Sequence, residues 1–153
     1  MEWFRKVVIE GNISLLDEAI GHFYSELDTA RNELKVKGSL EQSCARLPGI
    51  FEHRFSQLQE IDAILEHMNI ELKKIRSKFY RKYLENYGRD LSQRDIERYI
   101  DGEDDVTNWA NAINKLALVR NLYAGLEKAL DKKHWQLSNI VNLRTHGLED
   151  TLL

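Results

Sequence analysis

A run of basic and aromatic side chains between residues 73 and 89, KKIRSKFYRKYLENYGR, has the composition of a phosphate-binding surface. It holds seven lysines and arginines against one acidic residue, Glu85, with four aromatic rings among them. Basic side chains neutralise phosphates, and tyrosine rings stack on nucleobases. The remaining chain carries 15 basic and 24 acidic residues, so the positive charge is local. The pattern indicates a site for an anionic partner.

Helical periodicity divides this run into three faces. On a helical wheel with about 100° per residue, the run separates into an apolar arc, an opposite basic arc and a tyrosine edge. The apolar arc holds Leu72, Ile75, Phe79 and Tyr83; the basic arc holds Lys74, Lys78, Arg81, Lys82 and Arg89; the edge holds Tyr80 and Tyr87. A face of like charges gains most when an anion neutralises it.

The residues alone leave three interpretations of the basic run open. They are a nucleic-acid site, a plain solvated face, and a contact for a protein or lipid. A membrane-surface helix would expose its apolar arc, whereas this arc continues a packing seam. Among nucleic acids, single strands are favoured, because the sequence has no helix-turn-helix, zinc finger or zipper-linked basic region.

Other kinds of chemistry find no support in the sequence. None of the five histidines has a second histidine three or four residues later, and neither HExxH nor Glu-x-x-His occurs, so we expect no metal and no cofactor. GxSxG, Walker A and GxGxxG motifs are absent, so we expect no enzyme. The acidic stretch DGEDD, residues 101–105, is interpreted as helix capping or as a contact for a basic partner.

The single cysteine, Cys44, excludes a disulfide within the chain and indicates a reducing compartment. We interpret it as a small, partly buried residue. No apolar run approaches the roughly 18 residues of a membrane span, and no signal peptide is evident. We therefore expect a cytoplasmic protein.

Composition and periodicity predict an all-α protein. The 153 residues include one proline and eight glycines, too few for an all-β fold. Amphipathic patterns predict a helix over 12–37, a break at 39–49 around Pro48, a long helix from about 50 to 87, a short helix after Ser92, and a second long helix from Asp104 or Asp105 to about 146. Asn12 or Ser14 is the expected first cap, and Gly38, Gly88 and Gly147 are the expected stops.

These elements predict an elongated antiparallel hairpin of two long helices with an added N-terminal helix. The apolar stripe of the second long helix is weakest at 131–134, where a kink or break is expected. We divide the chain into an N-terminal helical extension (1–38), a hairpin domain (39–147) and a flexible tail (148–153). An apolar stripe this long requires a partner helix or another subunit to cover it.

The order of these features resembles the UvsY family of phage recombination mediators. The resemblance covers residues 40–147 and begins with a Leu-Ser-Pro-like spacing from Leu40 to Pro48. A long helix ending in basic residues, tyrosines and glycine follows, then the acidic link YIDGEDDV. The last element is a helix with aromatic-Gln-Leu-x-Asn-x-Ile-like spacing from Trp135 to Val141. Residues 1–38 lie outside the resemblance.

The resemblance implies an all-α, ring-like homo-oligomer that binds single-stranded DNA, a RecA-like recombinase and a single-strand-binding protein. The mediator helps the recombinase to load in place of the single-strand-binding protein. The implied DNA-binding residues are Lys73, Lys74, Arg76, Lys78, Arg81, Lys82, Tyr83, Tyr87 and Arg89. The implied self-association residues are Tyr123, Leu126, Leu130, Trp135, Leu137 and Ile140. The alternative is a structural or scaffold helical phage protein whose basic face is only surface.

Overall fold

The computed structural model describes residues 1–36, 38–87 and 91–147, without the side chain of Tyr87. Every regular element in these ranges is helical. The elements are α1 (Glu2–Phe4), which continues as a π-helical turn (Arg5–Ile9), a 3-10 turn (Ile13–Leu15), α2 (Leu16–Glu33), α3 (Leu40–Tyr87), α4 (Gln93–Asp101) and α5 (Asp104–Thr145). The all-α prediction is confirmed. None of the described helices combines the length and the apolar character needed to cross a bilayer.

The two long helices, α3 and α5, pack against each other as an antiparallel pair. Arg120 of α5 donates to Asp62 of α3 at 2.9 Å, near the middle of both helices. Ile61 and Met68 of α3 are fully buried in the same core as Leu116 of α5. The predicted hairpin of two long helices is therefore confirmed.

The N-terminal segment packs into the same core as the hairpin. Phe23 of α2 is fully buried, and the Tyr123 hydroxyl of α5 donates to its carbonyl oxygen at 3.1 Å. The Phe4 amide donates to the buried carboxylate of Glu60 at 2.9 Å. Ile64 of α3 is fully buried in the same core. Both the N-terminal segment and α5 make hydrogen bonds to α3, so this helix is contacted from more than one element.

The break predicted around Pro48 is wrong, because α3 already begins at Leu40. Ser39 accepts a hydrogen bond from the Gln42 amide at 3.1 Å, which is one half of a capping box. Pro48 lies inside the helix and leaves the Cys44 carbonyl without its usual amide donor. Leu47 beside it is buried in the main core, so tertiary packing holds the helix through the proline.

The break expected at residues 131–134 is also wrong, since α5 runs through them without interruption. The apolar stripe weakens there because Lys133 occupies a buried position. Its ammonium donates to the carbonyl oxygens of Glu33 at 2.6 Å and Lys35 at 3.3 Å. A lysine from α5 thus caps the C-terminus of α2, where a cation is favoured by the helix dipole.

The remaining boundaries follow the sequence prediction in part. Ser92 accepts from the Asp95 amide at 3.2 Å and caps α4 as expected. Gly147, with φ of +70°, follows α5 as its expected stop. Neither predicted cap serves α2, because Ser14 donates to Asn12 instead and no side chain caps the helix start. Gly88 lies outside the described residues.

Candidate nucleic-acid interface

The described part of the basic run, residues 73–87, forms the last four turns of α3, and its apolar arc packs against the connector. Ile96 and Ile100 of α4 and Val106 of α5 form a second, smaller core. Leu72, Ile75, Phe79, Tyr80 and Tyr83 of α3 pack against it. The predicted packing arc is confirmed, with Tyr80 added to it from the predicted tyrosine edge. The opposite side of this part of α3 is left facing solvent.

Four cations of the run are exposed and unpaired. Lys73, Lys78, Arg81 and Lys82 are all solvent-exposed, and within the described ranges none of them forms an ion pair. Lys78, Arg81 and Lys82 are spaced i, i+3 and i+4, so they are neighbours on one helix face. The Lys82 ammonium also lies 5.4 Å from the centre of the Phe79 ring. This face presents closely spaced positive charge to a ligand.

Two further cations of the predicted site already have acidic partners. Lys74 pairs with Glu71 one turn earlier at 2.6 Å, and this hydrogen bond holds the pKa of the Glu71 carboxyl below its ordinary value. Arg76 pairs with Asp101 at the end of α4. An exposed ion pair contributes little to stability, so both cations can exchange partners at small cost. They are secondary contacts compared with the four unpaired ones.

Tyr83 serves the connector as well as the basic face. Its hydroxyl donates to Glu103 at 2.7 Å, and its ring stacks on Tyr99 with centroids 5.8 Å apart and planes at 24°. This half-buried ring is therefore engaged within the protein. The predicted contacts through the Tyr87 side chain and Arg89 lie outside the described residues.

The acidic link contacts the basic helix from within the same chain. Asp101 binds Arg76, and Glu103 accepts from Tyr83. Asp104 and Asp105 lie in the first turn of α5, where acids are favoured by the helix dipole. The link therefore has a structural role in holding α4 and the start of α5 beside the end of α3.

Helix α4 brings side chains to this region that the sequence prediction did not include. Arg94 and Arg98 are exposed on the side of α4 away from Ile96 and Ile100, and Tyr99 is exposed on its flank, beside Tyr83 of α3. The i, i+4 spacing of the two arginines, opposite two buried isoleucines, is the sequence signal that could have identified them.

The predicted self-association residues divide into buried and exposed groups. Tyr123, Leu126, Leu130 and Leu137 are buried in the chain's own core, so in this fold they have no surface left for another copy. Trp135 is 63% exposed, and Ile140 is half-buried. Val141 and Leu143 nearby are also exposed. Any contact between copies along this end of α5 would use this second group.

An apolar groove of about 580 Å³ lies between the start of α3 and the end of α5. Leu47, Phe51 and Leu137 form part of its lining, together with Cys44. Cys44 is exposed, so its predicted partial burial is wrong, because it lies on the open side of the helix. The groove is roughly 40 Å along α3 from the basic face, at 1.5 Å per residue. It is separate from the candidate interface.

The part of the chain that the structure describes contains no group of three side chains arranged to hold a metal ion. Comparisons of the chain with protein-family models, with curated proteins and with solved structures found no match.

Proposed function

We propose that this protein is a non-enzymatic recombination mediator that binds single-stranded DNA through the exposed basic face of α3. In this proposal it promotes loading of a RecA-like recombinase in place of a single-strand-binding protein. The observation that carries the proposal is the set of four exposed cations, Lys73, Lys78, Arg81 and Lys82, without an acidic partner in the described ranges. The resemblance to the UvsY family supplies the ligand and the two protein partners.

The physical argument concerns the charge of this face. Neighbouring cations at i, i+3 and i+4 repel each other, and a phosphate chain removes that repulsion. Binding releases counterions from the strand, so affinity should fall as salt rises. Contacts to phosphate carry no sequence information, which suits a protein that must act on any strand.

The few exposed cations that one chain presents give weak binding by themselves. We propose that the protein forms a homo-oligomer, which presents several such faces to one strand. A second face then binds at a high effective concentration, and avidity replaces single-site affinity. The recombinase and the single-strand-binding protein would compete for or share the same strand.

The binding part of the proposal is tested with labelled single-stranded DNA. We expect the parent to bind at low salt and the variant Lys78→Ala/Arg81→Ala/Lys82→Ala to bind at least tenfold more weakly. The matched control, Lys115→Ala/Lys128→Ala/Lys132→Ala, removes the same charge from exposed positions of α5 and should bind like the parent. Absence of parental binding at low salt would contradict the proposal and favour the structural or scaffold alternative.

The mediator part needs a second measurement. Strand-dependent ATP hydrolysis by a RecA-like recombinase is followed on DNA already covered by single-strand-binding protein. We expect the parent to shorten the lag before hydrolysis and the α3 triple variant to leave the lag unchanged. A parent that binds DNA but never shortens the lag would contradict the mediator role while leaving DNA binding intact.

A further inference from the structure

The apolar groove between the start of α3 and the end of α5 has the shape of a helix-binding site. One wall is formed by Cys44, Leu47, Pro48 and Phe51 of α3, which recur at the three- and four-residue spacing of one helix face. The other wall is formed by residues of α5 between Leu130 and Asn142. At 1.5 Å per residue, this second wall is about 18 Å long, which is roughly three turns of a helix lying along it.

The floor of the groove is apolar and belongs to the main core. Leu47, Leu130 and Leu137 line it, and all three are buried. Phe51 lines it as well, and its ring stacks on that of Phe55, which is 41% exposed. Within the described part of the chain, only α3 and α5 contribute to the lining. Amphipathic helices bury their apolar side in grooves of this kind.

The groove also offers hydrogen-bond acceptors that have no donor in the fold. Asp131 lines it, is exposed, and pairs with none of the residues that the structure describes. The Cys44 carbonyl lacks its usual amide donor because Pro48, four residues later, has no N–H. Both of these residues line the groove, so the carbonyl lies in its wall. A carboxylate and a carbonyl oxygen together favour an occupant that donates hydrogen bonds and carries positive charge.

We propose that this groove binds an amphipathic helix of a partner protein, with apolar side chains between α3 and α5 and a lysine or arginine at Asp131. The inference does not depend on DNA binding, since the groove is roughly 40 Å along α3 from the basic face. Neither Trp135 nor Leu143 lines the groove, so it also differs from the surface that those two side chains present to another copy.

Cys44 provides a direct measure of occupancy. It is the single cysteine of the chain, it is exposed, and it lines the groove. A bound helix covers its thiol and slows its alkylation by iodoacetamide, a small neutral reagent. Because alkylation reports on this position alone, peptide that binds elsewhere on the protein leaves the rate unchanged.

The probes are two designed peptides of alanine and leucine, each about 14 residues long so that a helix spans the groove. One carries lysines beside its leucine stripe, and the other carries glutamates at the same positions. We expect the lysine peptide to slow alkylation of Cys44 by about tenfold at roughly ten times its dissociation constant. The glutamate peptide should protect the thiol less at every concentration. Equal protection by the two peptides, or protection by neither, would overturn the inference.

Asp131→Asn tests the charged contact without changing the shape of the groove. We expect it to lower the preference for the lysine peptide by about two- to fivefold, the range of an exposed ion pair. The matched control, Glu66→Gln, neutralises an exposed carboxylate of α3 outside the groove and should keep the parental preference. An unchanged preference in Asp131→Asn would refute the assignment of this residue.

Val141→Ser tests the apolar contact. Val141 lines the groove and is 38% exposed, so its replacement should leave the fold intact, which circular dichroism verifies. We expect both peptides to bind about three- to tenfold more weakly, because part of a valine side chain loses its burial. Leu118→Ser alters an exposed leucine of α5 outside this groove and should bind like the parent. Parental affinities in Val141→Ser would overturn the inference.

Two further outcomes separate this inference from other accounts. Alkylation that slows as protein concentration rises, without peptide, would identify a second copy as the occupant and overturn the inference. Protection of Cys44 by the lysine peptide in a protein that binds no DNA would support the inference while refuting the proposed function.

Discussion

Arg54 fixes α2 to α3 through a buried charge network. Its side chain is 3% exposed and donates to both carboxylate oxygens of Glu33, at 2.8 and 2.9 Å, and to Glu26 at 2.7 Å. It also donates to the Gln57 amide oxygen at 2.9 Å. Every buried donor therefore has an acceptor, which is the condition under which a buried cation is tolerated. Removing the arginine would deprive the carboxylates of Glu26 and Glu33 of their shared cationic partner.

This network makes a prediction about pH. The hydrogen bond from Arg54 holds the pKa of Glu26 below its usual 4.5, with Gln57 and the charge of His22 acting in the same direction. Folding lowers the pKa of Glu26, so its interaction with Arg54 stabilises the fold at pH values above the unfolded-state pKa. This stabilisation is lost as pH falls through the folded-state pKa. We expect the free energy of unfolding to decline below about pH 4.5.

Arg54→Met tests that assignment by urea unfolding between pH 7 and pH 3. At pH 7 the variant should lose about 2 to 4 kcal/mol, less than a fully buried pair would, because both glutamates stay partly exposed. Its decline with acidification should be shallower than the parent's. Arg31→Met, which breaks an exposed pair with Asp28, should keep the parental pH profile. Parallel pH profiles for the parent and Arg54→Met would contradict the assignment.

Individual residues show how far the sequence could assign roles. A wheel places Lys78, Arg81 and Lys82 outside the apolar arc, and the structure leaves them exposed as predicted. The same wheel cannot show that Arg76 binds Asp101 or that Tyr83 binds Glu103, because those partners arrive from another element. The contact of Tyr99 with Tyr83 is unpredictable from the wheel for the same reason, since it depends on where α4 packs.

At the scale of elements, Lys133 links α5 to the end of α2. Its ammonium replaces the missing amide donors for two carbonyl groups at that end. We expect Lys133→Met, which keeps the aliphatic stem, to lower the free energy of unfolding by about 1 to 2 kcal/mol. Hydrogen exchange should quicken at the C-terminal turn of α2 more than elsewhere.

The control for this prediction is the neighbouring Lys132→Met. Lys132 is exposed, so its replacement should change stability by no more than about 0.5 kcal/mol. Equal stabilities of the two variants in urea would show that the contacts of Lys133 with α2 contribute nothing to the fold.

The elements themselves were largely predictable, and the exceptions have physical causes. Sustained apolar spacing identified both long helices, because no glycine or proline interrupts α3 from residue 50 to 87. Pro48 predicts a break, but Ser39 caps a helix that begins before the proline and runs through it. A polar residue in an apolar stripe predicts a break, whereas Lys133 is buried because its ammonium binds the carbonyl oxygen of Glu33 at the end of α2.

At the scale of the whole molecule, most of the apolar side chains along the two long helices are already buried within one chain. Four of the six predicted self-association residues are buried in the core that the hairpin shares with α2. Trp135, Val141 and Leu143 remain exposed at the end of α5. The expected oligomer would therefore be held by this smaller apolar set.

Sedimentation equilibrium tests self-association directly. We expect the parent to form a species larger than the monomer at micromolar concentration and Trp135→Ser/Leu143→Ser to shift toward the monomer. Leu118→Ser alters an equally exposed leucine elsewhere on α5 and should sediment like the parent. If the parent is a monomer at every concentration, avidity cannot contribute to its DNA binding.

The central claim is that the exposed cations of α3 bind the phosphates of single-stranded DNA, and the salt slope of binding tests it most directly. Each neutralised phosphate contributes about 0.7 to the slope of log affinity against log salt. We predict that Lys78→Ala/Arg81→Ala/Lys82→Ala lowers the parental slope by about 2, while the α5 lysine control leaves it unchanged. The same slope for the triple variant and the parent would contradict the claim, whatever the affinity of either protein.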